Sequence, residues 1–484
     1  MNLLDKAIRA IVKVAKKENL PIFLVGGAVR DAMLSIEQRK DFDFVVVGSG
    51  LTFAKALDEQ MKQSGSLVEF PDFDTARYIL GEDENKIELE FAGARSESYE
   101  DKSRKPRVAP ATLDEDLSRR DFTVNAMAIP AELLLKKITS AILKKNVIDP
   151  FNGQKDLKER ALITPLDPDK TFIDDPLRML RAVRFAAQLN FSIDKKVLDS
   201  IHKNRKRLEI ISAERIKEEL FKLLSTKEPS IGLNLMFHTG LLDIVLPEVS
   251  KLDGVEEIFG HQHKNNLIHT FKVVDNIANL SDKTILRFAG LLHDIGKPGT
   301  KKFVTKVGWT FAQHEHLGRK MSHDVCRRLK MSKDETKFVT KLVRWHQHPI
   351  ALMDEEVTDS AVRRLIVSLG DELTDLLILG RCDITTGNPN KKEQRLKNYD
   401  NLEKRIAEVL EIDKMRAFQS PVRGEEIMKE CGLKPGPTVG KIKKAIEEAI
   451  LDGVIGNDYE EAKKYFEKIK GEYLKGVKDF EKVG

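Results

Sequence analysis

An α+β amino-terminal part followed by an all-helical remainder is the fold class this sequence predicts. Two patterns carry the prediction. The segments DFDF at 41–44 and IELEF at 87–91 alternate apolar and acidic residues, the signature of strands, whose successive side chains point to opposite faces. From about residue 170 onward, apolar residues recur at helical spacing almost throughout. Composition agrees, with only 6% aromatic residues beside abundant Leu, Ile, Lys and Glu, a mixture suited to helices.

A chain of 484 residues exceeds what one core supports, so two to four domains are expected. With 41% hydrophobic and 33% charged residues it reads as a soluble globular protein, and its net charge of +5 permits an acidic partner without requiring one. Cys326, Cys382 and Cys431 are far apart with no CxxC spacing, which fits a reducing cytoplasmic setting and argues against a disulfide scaffold or thiolate zinc site. No run of eighteen apolar residues occurs, so no membrane partner is expected. The first residues (Leu3, Leu4, Ile8, Ile11, Val12, Ala15) form an amphipathic packing helix rather than a signal peptide.

Within the first 165 residues, an apolar run from Ile22 to Val25 leads into Gly26-Gly27 and a helical segment beginning near Val29. The DFDF strand follows, then a helix marked by Phe53, Leu57 and Met61, strands near 67–70 and 76–80, and the IELEF strand. Residues 96–111 are polar and Pro-containing, a long loop. RRDFTVNAMAI then returns to an apolar element. Farther on, DDPLRMLRAVRFAAQL has helical spacing with Pro176 placed early, where a helix tolerates it. HKNRKR at 202–207 is a basic cluster, most histidines fall between 255 and 390, and KPGPTVG at 434–440 breaks the last helical region. The final YEEAKKYFEKIKGEYLKG pairs opposite charges at helical spacing and reads as an exposed helix.

The chemistry gathers in residues 24–44. Asp41 and Asp43 point to one face of their strand while Phe42 and Phe44 point to the other. Adjacent carboxylates repel and resist desolvation unless a cation lies between them, and a divalent ion held by oxygen ligands is the simplest one. Gly26 and Gly27 sit at a strand-to-helix turn, where backbone amides can approach a phosphate. A phosphate cradle beside a metal pair describes a phosphoryl or nucleotidyl transfer site.

LVGGAVRD, DFDF, RRDFTVNAMAI, DPFNGQKDL and DDPLRMLRAVRF, in that order, resemble the bacterial-type (class II) tRNA nucleotidyltransferase and poly(A) polymerase family. The likeness is specific from about residue 20 to 240 and looser beyond. It implies a polymerase-beta-like nucleotidyltransferase head with a mixed sheet at 1–165, then a helical neck with a base-selecting helix and RNA-binding region at 166–250. An HD-type phosphohydrolase domain at 251–390 and a helical tail at 391–484 complete the division. Asp41 and Asp43 would hold Mg²⁺, with Glu90 as third catalytic carboxylate and Glu88 as the alternative. Ala92, Gly93 and Ala94 depart from the hydroxyl-bearing or bulkier residues of relatives. Gly26, Gly27, Arg30, Arg119 and Arg120 correspond to nucleotide-side positions, Arg30 reaching phosphate or ribose oxygens. Asp121 and Asn125 resemble sugar-recognition positions.

The family motif Glu-Asp-x-x-Arg reads Asp174-Asp175-x-x-Arg178 here. Three apart, Asp175 and Arg178 are expected on one helix face, with Arg181 and Arg184 continuing the series. A carboxylate accepts hydrogen bonds and a guanidinium donates them. Cytosine and adenine both offer an amino donor beside a ring-nitrogen acceptor, whereas uracil and guanine present the reverse, so such a pair discriminates without a template.

HDIGK at 293–297 resembles the HD phosphohydrolase pattern. His269, His293, Asp294 and Asp383 supply its H…HD…D ligands, and His314 and His346 match a binuclear branch. Imidazoles with carboxylates suit Mn, Ni, Co or Fe. Glu315 and Gly318 match further positions, while His348, His261 and His263 read as surface residues. The resemblance thus implies a cytoplasmic enzyme adding CCA from CTP and ATP to the tRNA acceptor arm, with lysines and arginines at 203–207 and Lys441, Lys443 and Lys444 as phosphate contacts. Glu97, Tyr99, Arg104, Lys105 and Pro106 retain a loop tied to terminal A addition. An A-adding enzyme or poly(A) polymerase is the alternative; an HD phosphohydrolase with an RNA-binding head, or a non-catalytic RNA-binding protein, is more remote.

Overall fold

The structure is a computed structural model describing residues 3–36, 40–82, 85–98, 107–135, 140–255, 257–258, 261–262, 265–305, 307–353, 358–413, 420–475 and 477. It divides into two compact units, Met1–Ser250 and Lys251–Gly484.

In the first unit, strands β1 (Ile22–Val25), β2 (Asp41–Val46), β3 (Ser66–Phe70), β4 (Thr75–Leu80), β5 (Ile87–Gly93) and β8 (Ala128–Pro130) form one sheet. Their order is β3-β4-β5-β2-β1-β8. The β2 and β5 pairing is parallel and the others are antiparallel, a mixed sheet as expected. Helices α1 (Leu3–Lys17) and α3 (Gly50–Gln60) pack together, and α3 lies against β4 and β5. Phe44, Phe53 and Phe91 fill that side; Phe91 lies 5.3 Å from Phe44 and 5.4 Å from Phe53 between ring centres. The period-two alternation therefore leaves Asp41 and Asp43 exposed on the other face.

Helix α2 spans Gly27–Met33, beginning two residues earlier than the apolar pattern suggests, because Gly26 turns the chain at φ 71°. Residues 96–111 are not simply a loop: β6 (Arg95–Ser98) pairs antiparallel with β7 (Arg107–Pro110). Backbone pairing of the flanks is invisible to a composition-based reading. Tyr99, Arg104, Lys105 and Pro106 lie outside the described residues, as does the Glu97 side chain. Helix α4 (Leu113–Ser118) follows, and α5 (Ser140–Asn146) and α6 (Gly153–Glu159) come after β8.

The helical run begins with α7 (Pro168–Asp174), α8 (Leu177–Leu189), α9 (Lys195–Asn204) and α10 (Ala213–Leu224), and continues through α11 (Pro229–His238), α12 (Leu241–Val245) and α13 (Pro247–Ser250). Helix α8 is buried on nearly every side, and Phe185 on it meets Phe122 edge-on at 6.0 Å. The basic cluster after it is largely spent within the fold. Lys203 pairs with Asp169, Arg205 donates to the His202 carbonyl, and Arg207 donates to the Ile173 carbonyl at 3.0 Å, while Lys206 is exposed.

Among its described residues, the second unit is helical apart from two short antiparallel ladders. Its last three helices, Gly424–Cys431, Pro437–Leu451 and Tyr459–Leu474, enclose Ile427, Ile442, Ile446 and Phe466. The terminal helix is therefore not a merely exposed one: Ala462 and Phe466 are fully buried, and Lys463 pairs with Glu426 at 2.6 Å. Its charge pattern hid an apolar stripe in which Tyr465, Ile469 and Tyr473 continue the face of Ala462 and Phe466. Lys443 and Lys444 pair with Glu447 and Glu448 one turn on.

Candidate active site and metal centre

The carboxylate face of the sheet floors a cleft of about 540 Å³. Parallel pairing of β2 with β5 sets Asp41 opposite Glu88 and Asp43 opposite Glu90. All four carboxylates consequently share one face, and β4 brings Arg77 between the glutamates, 3.2 Å from Glu90 and 3.5 Å from Glu88. Arg77 was not singled out in the sequence; only strand register reveals it.

The glycine turn forms the cleft's rim. A Cβ at Gly26 would stand 3.2 Å from Arg120 Nη1 and 3.5 Å from Asp43 Oδ2, in a left-handed backbone conformation. Glycine is required there for the turn and for the close approach alike. Gly27 opens α2 beside it and also lines the cleft. Arg30, expected to reach substrate oxygens, lines the cleft although it is almost wholly shielded from solvent. It donates to Asn125 Oδ1 at 2.6 Å and Asp31 Oδ1 at 2.7 Å, and lies 5.0 Å from the Phe185 ring centre. Its bonds thus brace the segment carrying Asp121 and Asn125.

Asp121 accepts from Asn125 Nδ2 at 2.9 Å, the Phe122 amide at 2.8 Å and Arg181 Nε at 2.8 Å. Burial alone would raise its pKa, but Arg181 and Asn125 outweigh that and pull it down to about 2. Arg184 donates to Glu219 at 2.7 Å. Burial pushes the Arg184 pKa down despite that partner, whereas Asp121 and Glu219 raise that of Arg181 against burial. Glu219 escaped the sequence reading because nothing in ISAERIKEEL marks one glutamate as interior.

Asp175 is not on the helix face with Arg178. It has an extended backbone between α7 and α8, and its Oδ1 accepts from the Leu177 amide at 3.1 Å. Pro176 breaks the helix there, yet the cap still turns the carboxylate into the cleft that Arg178, Arg181 and Arg184 line. Arg215, a further lining residue, meets Asp175 Oδ2 at 3.2 Å. Arg119 and Arg120 reach the cleft from the end of α4.

In the second unit, six predicted ligands converge although they span 269 to 383. His293 caps Thr284–Leu292, His314 starts His314–Arg328, His346 caps Lys333–Trp345, Asp383 caps Leu373–Cys382, and His269 lies in Asn266–Leu280. His269, His293 and Asp383 form one group with ligand atoms near enough for a cation, and Asp294, His314 and His346 form a second. Asp294 lies between them, 3.2 Å from His293 and 3.4 Å from His314. Gly296 permits this crossing, since a Cβ there would lie 2.1 Å from the His314 carbonyl oxygen.

Three of the imidazoles are oriented by backbone carbonyls. Nδ1 of His293, His314 and His346 contacts the carbonyls of Gly290, Phe311 and Val343 at 2.7, 2.8 and 2.8 Å. A carbonyl only accepts, so each Nδ1 is the donor and Nε2 faces the cluster. His269 Nδ1 meets Thr385 Oγ1 at 2.7 Å. Burial lowers the His293 pKa, but Asp294 and Asp383 raise it to about 10; burial beside His293 pushes His346 down to about 4. This donor set of imidazoles and carboxylates fits a transition metal. Glu315 instead lies 3.8 Å from Arg344, and His348 packs 4.2 Å from the Trp345 ring. His263 and the His261 side chain lie outside the described residues.

Comparison with known proteins bears on both sites. The model of the Poly A polymerase head domain matches residues 22–163, that of the probable RNA and SrmB-binding site of polymerase A residues 190–252, and that of the HD domain residues 266–376. A multifunctional CCA protein of Aliivibrio salmonicida is 35% identical over 334 residues, 68% of this chain and 75% of that one. A CC-adding tRNA nucleotidyltransferase of Thermus thermophilus is 30% identical over 450 residues, covering 90% and 91%. The fold is similar to that of the Bacillus stearothermophilus CCA-adding enzyme in complex with CTP, with TM-score 0.65, 20% identity and coverage of 99% and 100%.

Proposed function

Because the chain belongs to the tRNA nucleotidyltransferase and poly(A) polymerase family, we propose that it adds C and A nucleotides from CTP and ATP to the 3′ end of tRNA without a template. The observation that carries this reading is one cleft lined by Asp41, Asp43 and Glu90 together with Asp175 and Arg178. A transfer centre and a base reader thus share a single space. In our reading the parts are a head at 1–165, a neck at 166–250, an HD domain at 251–390 and a tail at 391–484.

Asp41, Asp43 and Glu90 would hold Mg²⁺, a hard cation suited to oxygen ligands. The ion supplies charge neutralisation for the triphosphate and activation of the RNA 3′ hydroxyl. Arg119 and Arg120 bind the triphosphate beside the glycine turn, and Asp121 and Asn125 recognise the sugar. Asp175 accepts from the exocyclic amine of C or A while Arg178 donates to the adjacent ring nitrogen. Uracil or guanine would set acceptor against acceptor and donor against donor, leaving desolvated groups unpaired. The tRNA acceptor arm is gripped by backbone and shape, because every tRNA must be served.

In the second unit both histidine-carboxylate groups would hold Mn, Ni, Co or Fe, and an ion there would supply the Lewis acidity for hydrolysis of phosphate esters. A cytoplasmic setting accords with Cys326, Cys382 and Cys431 remaining free. Among the described residues no helix is long and apolar enough to cross a membrane.

The test offers tRNA lacking A, CA or CCA with one labelled nucleoside triphosphate at a time and Mg²⁺. Stepwise C, C, then A is expected. Addition of A alone, of CC alone, or of long A tails would assign the narrower activities, and no incorporation would overturn the reading.

A further inference from the structure

Asp116, within α4, is fully buried, and neither the base reading nor the metal site employs it. Its Oδ1 accepts from Arg119 Nη2 at 2.5 Å and Nε at 3.1 Å, and its Oδ2 accepts from Arg120 Nη2 at 3.0 Å. Both oxygens are therefore engaged by two adjacent cations. Burial alone would raise the carboxyl pKa; Arg120 and Arg119 outweigh it and hold the group ionised.

Exposure shows which way the cluster faces. The side chain of Asp116 is 0% exposed, whereas those of Arg119 and Arg120 retain 21% and 18%. The anion lies behind and the cations look outward into the cleft. Helix α4 makes this possible through positions three and four residues apart, and its start is fixed by a capping box between Thr112 and Glu115. Arg119 Nε also donates to the Arg95 carbonyl at 3.0 Å, which ties the fork to the root of β6. Two neighbouring guanidiniums repel one another, and a buried anion shared between them sets their spacing before any phosphate arrives.

We propose that Asp116 is a positioning residue that holds Arg119 and Arg120 side by side so that they grip the triphosphate of the incoming nucleotide. The inference rests on the cleft being the nucleoside triphosphate site. It concerns binding of the common triphosphate, not of the base, so C and A should be affected alike.

The test measures steady-state CTP and ATP incorporation into tRNA by Asp116→Asn, which keeps the shape and removes the charge. KM for both nucleotides should rise by about tenfold, while kcat, the KM for tRNA and the preference for C and A over U and G hold. Arg120→Gln should raise KM similarly, and adding Asp116→Asn to a variant carrying both Arg119→Gln and Arg120→Gln should raise it no further, because Asp116 works through the two arginines. Unchanged KM for both nucleotides in a folded Asp116→Asn overturns the proposal; so does a further rise in KM when Asp116→Asn is added to the variant lacking both arginines. If Asp116→Asn does not fold, Asp116→Glu decides: it keeps the charge but shifts it by one methylene, and must raise nucleotide KM without lowering kcat. Asp43→Ala is the control, since full activity there would defeat the reading of the cleft itself, whereas its inactivity beside an unchanged Asp116→Asn defeats only this inference.

Discussion

Asp43 stands opposite Glu90 in the parallel pairing of β2 and β5, so carboxylates 47 positions apart in the chain leave the same face of the sheet side by side. The pairing ranks the two glutamates. Glu90 is the register partner of the inner aspartate and bonds Arg77 at 3.2 Å, whereas Glu88 faces the outer aspartate and is also held by Lys86 at 2.6 Å. Lys86 and Arg77 keep the Glu88 carboxyl below its ordinary range, its bond to Lys86 being the main cause.

Asp41→Ala and Asp43→Ala should each reduce nucleotide incorporation by about a hundredfold or more, and Glu90→Gln should cost more than Glu88→Gln. Because Asp41 and Asp43 are exposed, thermal unfolding should be almost unchanged. Single-turnover incorporation of labelled CTP provides the measurement; equal losses in the two glutamine variants would remove the ranking, and a greater loss in Glu88→Gln would reverse it.

Base selection should respond to residues that touch no phosphate. Asp175→Ala and Arg178→Ala should lower the preference for C and A over U and G by about tenfold to a hundredfold. Arg215→Ala should act in the same direction but less, since it removes one of two restraints on Asp175, the Leu177 amide remaining. Competition between labelled CTP and UTP reports the ratio directly.

Acid should weaken the contact between Asp121 and α8. The folded pKa of Asp121 is about 2, below an unfolded value of about 3.9. Its contribution is complete above that unfolded value and is lost as pH falls through 2. Asp121→Asn should therefore destabilise the protein by about 3 kcal/mol at neutral pH, and by progressively less between pH 4 and 2. Urea unfolding across that range checks the sign; a constant deficit would remove the assignment.

The histidine cluster should depend on its orienting groups. Thr385→Ala frees the His269 ring and should weaken metal affinity by about tenfold, while Asp294→Ala should abolish retention of Mn, Ni, Co or Fe. Metal content after chelation and reloading gives the readout. Nucleotide addition by these variants should continue, because transfer belongs to residues of the other unit.

Residue order and local pattern determined a good deal by themselves. Period-two alternation placed Asp41 and Asp43 opposite Phe44, since a strand's geometry admits no other arrangement. The glycine pair announced its turn, and the HD motif with outlying histidines announced six convergent ligands. Tertiary structure decided what local pattern cannot encode. Asp116 and Glu219 look like ordinary helix-surface acids in sequence, and only packing buries them against arginines. Arg30 reads as a substrate-facing cation, and the fold shows that it lines the cleft while also bracing Asn125 and Asp31 from within. Asp175 left its expected helix because Pro176 ends the hydrogen-bond ladder, yet reached the same cleft through a cap. The physical reason is common to all of these: hydrogen-bond periodicity is a short-range property, whereas which charge is shielded from water depends on chain segments distant in sequence.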